Sequence, residues 1–306
     1  FRQELGPVLR LAFTARDSIC FNVLDCVRKG PHEVRDVQNI VEIIADPYGD
    51  GRHGDFWDRS AKRLLTGLIL HVLYAEEDKN LKRVFELLAD LDETAKRMEN
   101  TFHLKDPESG RLMVHPAVLS GAVSYRKCHE KIRMGIKATA ESYLTLFDDP
   151  LVQARTARSD FSIDDLMCAE RPVTLFLAWP PAESIRLKPL IRLTMAAILH
   201  GLMEHQQAGQ RGRPKKHDLL FVMDEFPQLG RIDFFEKSLG AMAGYGLRTF
   251  LVTQSLNYVN QAYGAKNTIL DNCAILAVLG VNDAQTAETV SRLAGETYEM
   301  RPQETW

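Results

Sequence analysis

A chain of 306 residues with 45% hydrophobic and 26% charged residues has the make-up of an ordinary soluble globular protein and the length for roughly two domains. Its formal net charge of −3 argues against a globally basic nucleic-acid binder. No apolar run approaches the roughly 18 residues that span a bilayer, and the five cysteines (Cys20, Cys26, Cys128, Cys168, Cys273) are too scattered for a zinc site or a disulfide frame.

The chain opens on FRQELGPVLR, which is neither a signal nor a transit peptide and reads as mid-domain sequence. The end, RPQETW, is equally abrupt, and the expectation is an excerpt of a longer protein. LRLAFTAR and the helix VRDVQNIVEIIAD are assigned to an α/β part. From residue 53 to residue 150 no convincing strand is found. RSAKRLLTGLILHVLYAEED reads as a helix of about five turns, LKRVFELLADL as a shorter one, and residues 93–102 as a third. HLKDPESGRLMVHP reads as a polar loop, and residues 117–148 as one long helix or a broken pair, with Ile132, Ile136, Ala140, Tyr143 and Leu144 on one stripe. Residues 53–150 are therefore expected to form an all-α domain inserted into an α/β domain made of residues 1–52 and 151–306.

The second half alternates between strand and helix. VTLFLAW is an apolar run of β-formers ended by Pro180 and Pro181, and an apolar-periodic helix follows over 187–203. RGRPKKH, residues 211–217, reads either as a solvated loop or as a contact to a phosphate backbone. LLFVM, LRTFLVTQ and AILAVLGV are each expected to be buried strands, with helices over 234–243 and 255–263 between them. Asp283 is placed to cap a last helix that Gly295 stops. Strands separated by helices imply a parallel sheet covered on both faces, with ligands at the C-terminal strand ends.

LLFVM runs straight into Asp224 and Glu225. Two adjacent carboxylates there can be a mere strand end, since acids suit loops and caps. They can also be a Walker B element, in which the Asp holds a nucleotide's magnesium and the Glu polarises the attacking water. Gln254 stands at the end of the neighbouring strand, either as a satisfied amide or as a sensor of the γ-phosphate.

Read as a set, DEFPQLGRIDFFEKSLGAMAGYGLRTFLVTQSLNYVNQAYG, FNVLD with HEVRDVQNIVEIIADP, FWDRSAKRLLTGLILHVLY, ARSDFSIDDLM with RPVTLFLAWPP, and ILDNC with NDAQTAETVSRLAGET resemble the type IV secretion coupling proteins, the TraG-type conjugation ATPases. The resemblance implies a RecA-like P-loop NTPase fold with an inserted all-α domain. It implies a homo-hexameric motor at the cytoplasmic face of the bacterial inner membrane, its anchor outside this chain. Such a motor uses ATP and Mg to pass a relaxase-bound single DNA strand, the relaxosome, or effector proteins to the inner-membrane components of a type IV secretion channel. By the same resemblance Asp224 is the magnesium-binding acid, Glu225 the catalytic base and Gln254 the sensor. Some members carry an arginine finger at the position of Ala243; Arg248 and Arg292 are the candidates here, and Arg248 reads equally as a structural residue at a strand start. No GxxGxGK[ST] loop is present, so this chain alone, a soluble cytoplasmic fragment, is expected to be inactive while its parent is an ATPase. The alternatives are another DNA-pumping ATPase of the superfamily, against which the helical insertion argues, and a non-hydrolysing module that docks substrates.

Overall fold

The computed structural model describes residues 2–46, 49 and 54–295. The expected domain boundary between residues 52 and 53, the end of the NDAQTAETVSRLAGET stretch and RPQETW lie outside the described residues. A short helix α1 (Arg2–Leu5) leads into strand β1 (Val8–Leu11), and helix α2 (Glu33–Ala45) follows. Val37, Ile40, Val41 and Ile44 recur at helical spacing along α2, and these are the side chains it buries.

The helical unit is built around α3 (Phe56–Ala75). The Asp55 side chain caps it by accepting from the Asp58 N–H at 2.8 Å. Residues 64–73 are all buried, as expected for a helix surrounded by others. Helices α4 (Leu81–Leu88) and α5 (Leu91–Asn100) start at the capping side chains of Asn80 and Asp90. A two-residue hairpin, β2 (Leu104–Lys105) against β3 (Leu112–Met113), replaces the expected polar loop. Asp106 shapes its turn by accepting from Ser109 N–H, and the Gly110 N–H closes on the Asp106 carbonyl. The stretch 117–148 is a broken pair, α6 (Pro116–Arg126) and α7 (Glu130–Leu144). Helices α3 and α6 meet at their glycines. A Cβ on Gly121 would stand 3.1 Å from the Arg63 carbonyl oxygen and 3.4 Å from the Gly67 Cα.

After α8 (Pro150–Thr156) and the single turn α9 (Asp165–Cys168), the chain returns to strands. Strand β4 (Thr174–Leu177) runs parallel to β1, with Val8 opposite Thr174 and Leu11 opposite Leu177. Helix α10 (Ser184–Leu202) buries most of its length and packs against α2. Then come β5 (Leu219–Met223), α11 (Asp233–Met242), β6 (Leu247–Leu251), α12 (Leu256–Tyr263) and α13 (Ala284–Ala294). β5 and β6 pair in parallel, Leu219 opposite Leu247 through Met223 opposite Leu251. One apolar core runs without a break from Leu11 and Phe13 through α3 to Phe235 and Ile269.

Two expectations fail. The strands form two separate parallel pairs, not one sheet covered on both faces: Leu220, Val222 and Phe250 on one face of β5–β6 are more than half exposed. AILAVLGV is not a strand. No ladder forms over 274–281 among the described residues, and Ile275 and Leu279 are 86% and 104% exposed. An apolar β-prone run becomes a strand only when a neighbouring strand supplies its hydrogen bonds, and none lies beside this one among the described residues.

The helical unit is fastened to α2 by a buried polar seam. The Glu33 carboxylate accepts from the Tyr74 hydroxyl at 2.5 Å and lies 3.0 Å from His115 Nε2. His115 Nδ1 accepts from the Ala117 N–H, so its proton belongs on Nε2, facing Glu33. His103 Nδ1 likewise accepts from the His115 N–H, which leaves His103 Nε2 to donate to His71 Nδ1 at 2.9 Å. His71 is 1% exposed, and burial together with the neighbouring His103 lowers its pKa to about 4. In the unfolded chain the same imidazole titrates near 6.5. Between those values the unfolded chain binds the extra proton, so stability rises with pH and is lost on acidification. Thermal unfolding of the 306-residue chain is therefore expected to fall as the pH drops from 6.5 towards 4. His71→Gln should flatten that fall; an unchanged pH profile in the variant would remove His71 as its cause.

Candidate active site

β5 alternates. Leu219, Phe221 and Met223 turn toward the core while Leu220 and Val222 face out. At Met223 the chain must leave the layer, and it does so through Asp224 and Glu225. Glu225 adopts φ 50° and ψ 43°, the left-handed region, alone among the non-glycine residues described. That conformation costs a non-glycine residue about 1–2 kcal/mol. It persists because both sides of the turn are fixed. The Val252 N–H donates to the Met223 carbonyl and the Phe226 N–H donates to the Val252 carbonyl, at 3.0 and 3.2 Å. The Gln228 N–H closes back on the Glu225 carbonyl, and Phe226, Pro227 and Leu229 are buried beneath.

The parallel register carries Gln254 to the same edge, three residues past Leu251. Gln254 is exposed and immediately precedes Ser255, which caps α12 by accepting from the Asn257 N–H. Ser255 Oγ in turn donates to Asp283 at 2.8 Å, and Asp283 caps α13 by accepting from the Thr286 N–H. These hydrogen bonds hold the Asp283 carboxyl below the usual carboxylate range. One carboxylate thus ties two helix starts together behind Gln254.

Glu225 and Gln254 line one open cavity of about 620 Å³, with Lys188, Gln228, Arg231 and Tyr258 among its other walls. Asp224 is exposed at the same strand end. Arg248 is not brought to this edge. It stands opposite Leu220 at the start of the ladder, and its Nε donates to Asp218 at 3.0 Å in a largely exposed ion pair. Arg292 is exposed on the last turn of α13. The structure therefore gathers Asp224, Glu225 and Gln254, and separates Arg248 from them by the length of the strand.

These residues fit one half of a magnesium–nucleotide site. Among the described residues no three His, Cys, Asp or Glu side chains converge as a metal cage. A single carboxylate such as Asp224 suits magnesium, which keeps waters and takes the rest of its ligands from phosphates. The backbone cradle that a P-loop gives the phosphates has no counterpart in the sequence.

RGRPKKH is a solvated loop, with Arg211 to Pro214 and Lys216 exposed, that hydrogen bonds anchor to the fold. Lys215 Nζ donates to the carbonyls of Leu202, His205 and Tyr245 at 2.6, 2.9 and 2.9 Å, closing the C-terminal end of α10. Arg213 pairs with Asp165 and Lys216 with Glu170. Asp164 accepts from the Gln210 and Arg211 N–H groups and fixes the loop from below. Of the four cations Arg213 and Lys216 form ion pairs, Lys215 is engaged by backbone carbonyls, and Arg211 makes no ion pair among the described residues. Lys188 and Arg231 were not legible as site residues. Each is one basic side chain in an ordinary helical or loop context, and only the fold puts them beside Glu225.

The family described as Type IV secretory system Conjugative DNA transfer matches residues 2–303. Conjugal transfer protein TraG of Escherichia coli is 35% identical over 304 residues, 95% of this chain and 47% of TraG. Protein VirD4 of Rhizobium radiobacter is 32% identical over 161 residues, 52% of this chain and 22% of VirD4. The solved plasmid coupling protein TrwB, in complex with ADP and Mg2+, superposes with a TM-score of 0.62 at 16% identity, covering 87% of this chain and 57% of that one. That likeness is one of fold: α/β, RecA-like, with a helical domain. The chain spans about half the length of the TraG relatives it matches.

The backbone at Glu225 makes a direct prediction. Glu225→Gly removes the left-handed cost and Glu225→Ala keeps it, so the glycine variant should be the more stable of the two by about 1 kcal/mol in denaturant unfolding. Equal stabilities, or a more stable alanine variant, would mean that residue 225 is not left-handed in solution.

Proposed function

The chain belongs to the Type IV secretory system Conjugative DNA transfer family, and from that premise we propose that it is the Walker B and sensor portion of a coupling ATPase. The motor passes conjugative DNA or effector proteins to a type IV secretion channel. The observation that carries the reading is the shared edge: Glu225, in a fixed turn at the end of β5, faces the same cavity as Gln254 at the end of β6.

ATP with magnesium supplies the phosphoryl group that water accepts. Asp224 would hold the magnesium, whose charge would offset that of the phosphates. Glu225 orients the attacking water and takes up its proton; backbone hydrogen bonds close its turn and so fix where its side chain leaves the main chain. Gln254 reports the state of the terminal phosphate, backed by the Ser255–Asp283 clamp. The P-loop comes from a part of the parent protein outside these 306 residues, along with its membrane anchor. Arg248, at the opposite strand end, serves such a site only from a neighbouring subunit of a ring. The helical unit, residues 53–150, is the part we assign to substrate docking, with relaxase or effector proteins as partners. Single-stranded DNA is contacted through phosphates, hence in a salt-dependent and sequence-tolerant way. The alternative reading is a substrate-docking module that does not hydrolyse nucleotide.

The two readings separate in a soluble form of the longer polypeptide. Single-stranded DNA should stimulate ATP hydrolysis, and Glu225→Gln should lower kcat by about 10²–10⁴-fold, the usual scale for losing a general base. A folded polypeptide without activity, or full activity in the variant, would leave the docking module as the function.

A further inference from the structure

Lys188 stands in the second turn of α10 and lines the cavity that holds Glu225 and Gln254. Among the described residues it lacks the anion that a partly buried ammonium normally acquires. Among the described residues it makes no hydrogen bond or ion pair, and the charged neighbour acting on it is Arg192, another cation. Burial and Arg192 together lower its pKa. The other charges nearby are engaged. Arg231 pairs with Asp233 and Glu236. Arg192 donates to the Arg231 carbonyl at 2.8 Å and has Asp46 at 3.9 Å. Glu225 is the remaining charge on the cavity wall, and no ion pair joins it to Lys188 among the described residues.

A cation held half out of water next to a second cation, across an open polar cavity from a carboxylate that does not reach it, is a site for a small, highly charged anion. Of the anions a RecA-like fold handles at this strand edge, the one with that charge density is a phosphate group. The carboxylate across the cavity does not spoil the fit, because a water-orienting acid and a charge-balancing cation flank the same group in phosphoryl transfer. We propose that Lys188 is a phosphate-binding residue of this cavity, holding either the terminal phosphate of a nucleotide or free orthophosphate opposite Glu225. This rests on the reading of the cavity as one side of a nucleotide site, but its test does not pass through hydrolysis.

The 306-residue chain is reductively methylated with ¹³C-formaldehyde, and the Lys188 resonance is identified by its loss in Lys188→Arg. It is then titrated with pyrophosphate, with orthophosphate and with a short oligothymidylate. Pyrophosphate should move the Lys188 resonance saturably, and calorimetry should show its affinity falling about tenfold in Lys188→Gln while Glu225→Gln keeps or tightens it. A response to orthophosphate as strong as that to pyrophosphate assigns the residue to the released product. A stronger response to pyrophosphate assigns it to the nucleotide. A Lys188 resonance that neither phosphate moves, or that moves only with oligothymidylate, overturns the proposal. Should Lys188→Gln fail to fold, the wild-type resonance still decides. Phosphate binding at Lys188 in a protein that proves not to hydrolyse ATP would keep this site and remove the motor.

Discussion

The five-residue parallel ladder between β5 and β6 is the constraint on which the rest depends. It brings two strand ends, 28 residues apart in sequence (Met223 and Leu251), to one edge. A one-residue slip would turn Leu219, Phe221 and Met223 outward and expose what the core now holds. The register is therefore fixed by burial, and the chemistry at the edge inherits that precision. Asp224 and Glu225 follow one strand, Gln254 the other, and both exits are pinned: the first by the buried Phe226–Leu229 turn, the second by the Ser255–Asp283 clamp. The left-handed backbone at Glu225 is a local cost borne by these surroundings, the pattern expected where a side chain must point in one direction.

The helical unit and the strand pairs share one apolar core, and α2 packs between α3 and α10. α2 meets α3 through the Glu33, Tyr74 and His115 seam and meets α10 through its other face; α10 in turn presents Lys188 to the cavity. The path from the helical unit to the cavity is thus two rigid helices long. A buried polar seam is a demanding way to join two units, because each group removed leaves its partner unpaired. Its value is geometric definition: one orientation of α3 on α2 satisfies Glu33, and others do not.

Much of this was legible in the sequence, for identifiable reasons. LLFVM was read as a strand ending at two acids, and β5 has those bounds, because an apolar run of β-formers followed by charge admits few other folds. The helices of residues 53–150 followed from their periodicity, and the cap at Asp283 from its side chain. The hairpin at 104–113 was missed because strands of two residues leave no alternation to read. AILAVLGV failed for the opposite reason: its β-character is plain, but strand formation needs a partner that local sequence does not specify. Arg248 was a candidate because it stands close in sequence to Ala243, but it begins an extended strand, which places Gln254, six residues on, about 20 Å away. Lys188 and the three carbonyls around Lys215 belong to tertiary structure alone. Nothing in a single lysine announces whether it will be solvated, buried or left facing a cavity.

The most direct test of the shared strand edge is the magnesium dependence of nucleotide binding by the longer polypeptide, followed with a fluorescent ATP analogue. Two variants are compared with the wild type: Asp224→Asn at the C-terminal end of β5 and Asp218→Asn at its other end. If the edge is the nucleotide site, magnesium should strengthen binding in the wild type and in Asp218→Asn, and lose most of that effect in Asp224→Asn. An equal magnesium effect in all three proteins would contradict the account, because Asp224 would then be only the place where a buried strand meets water.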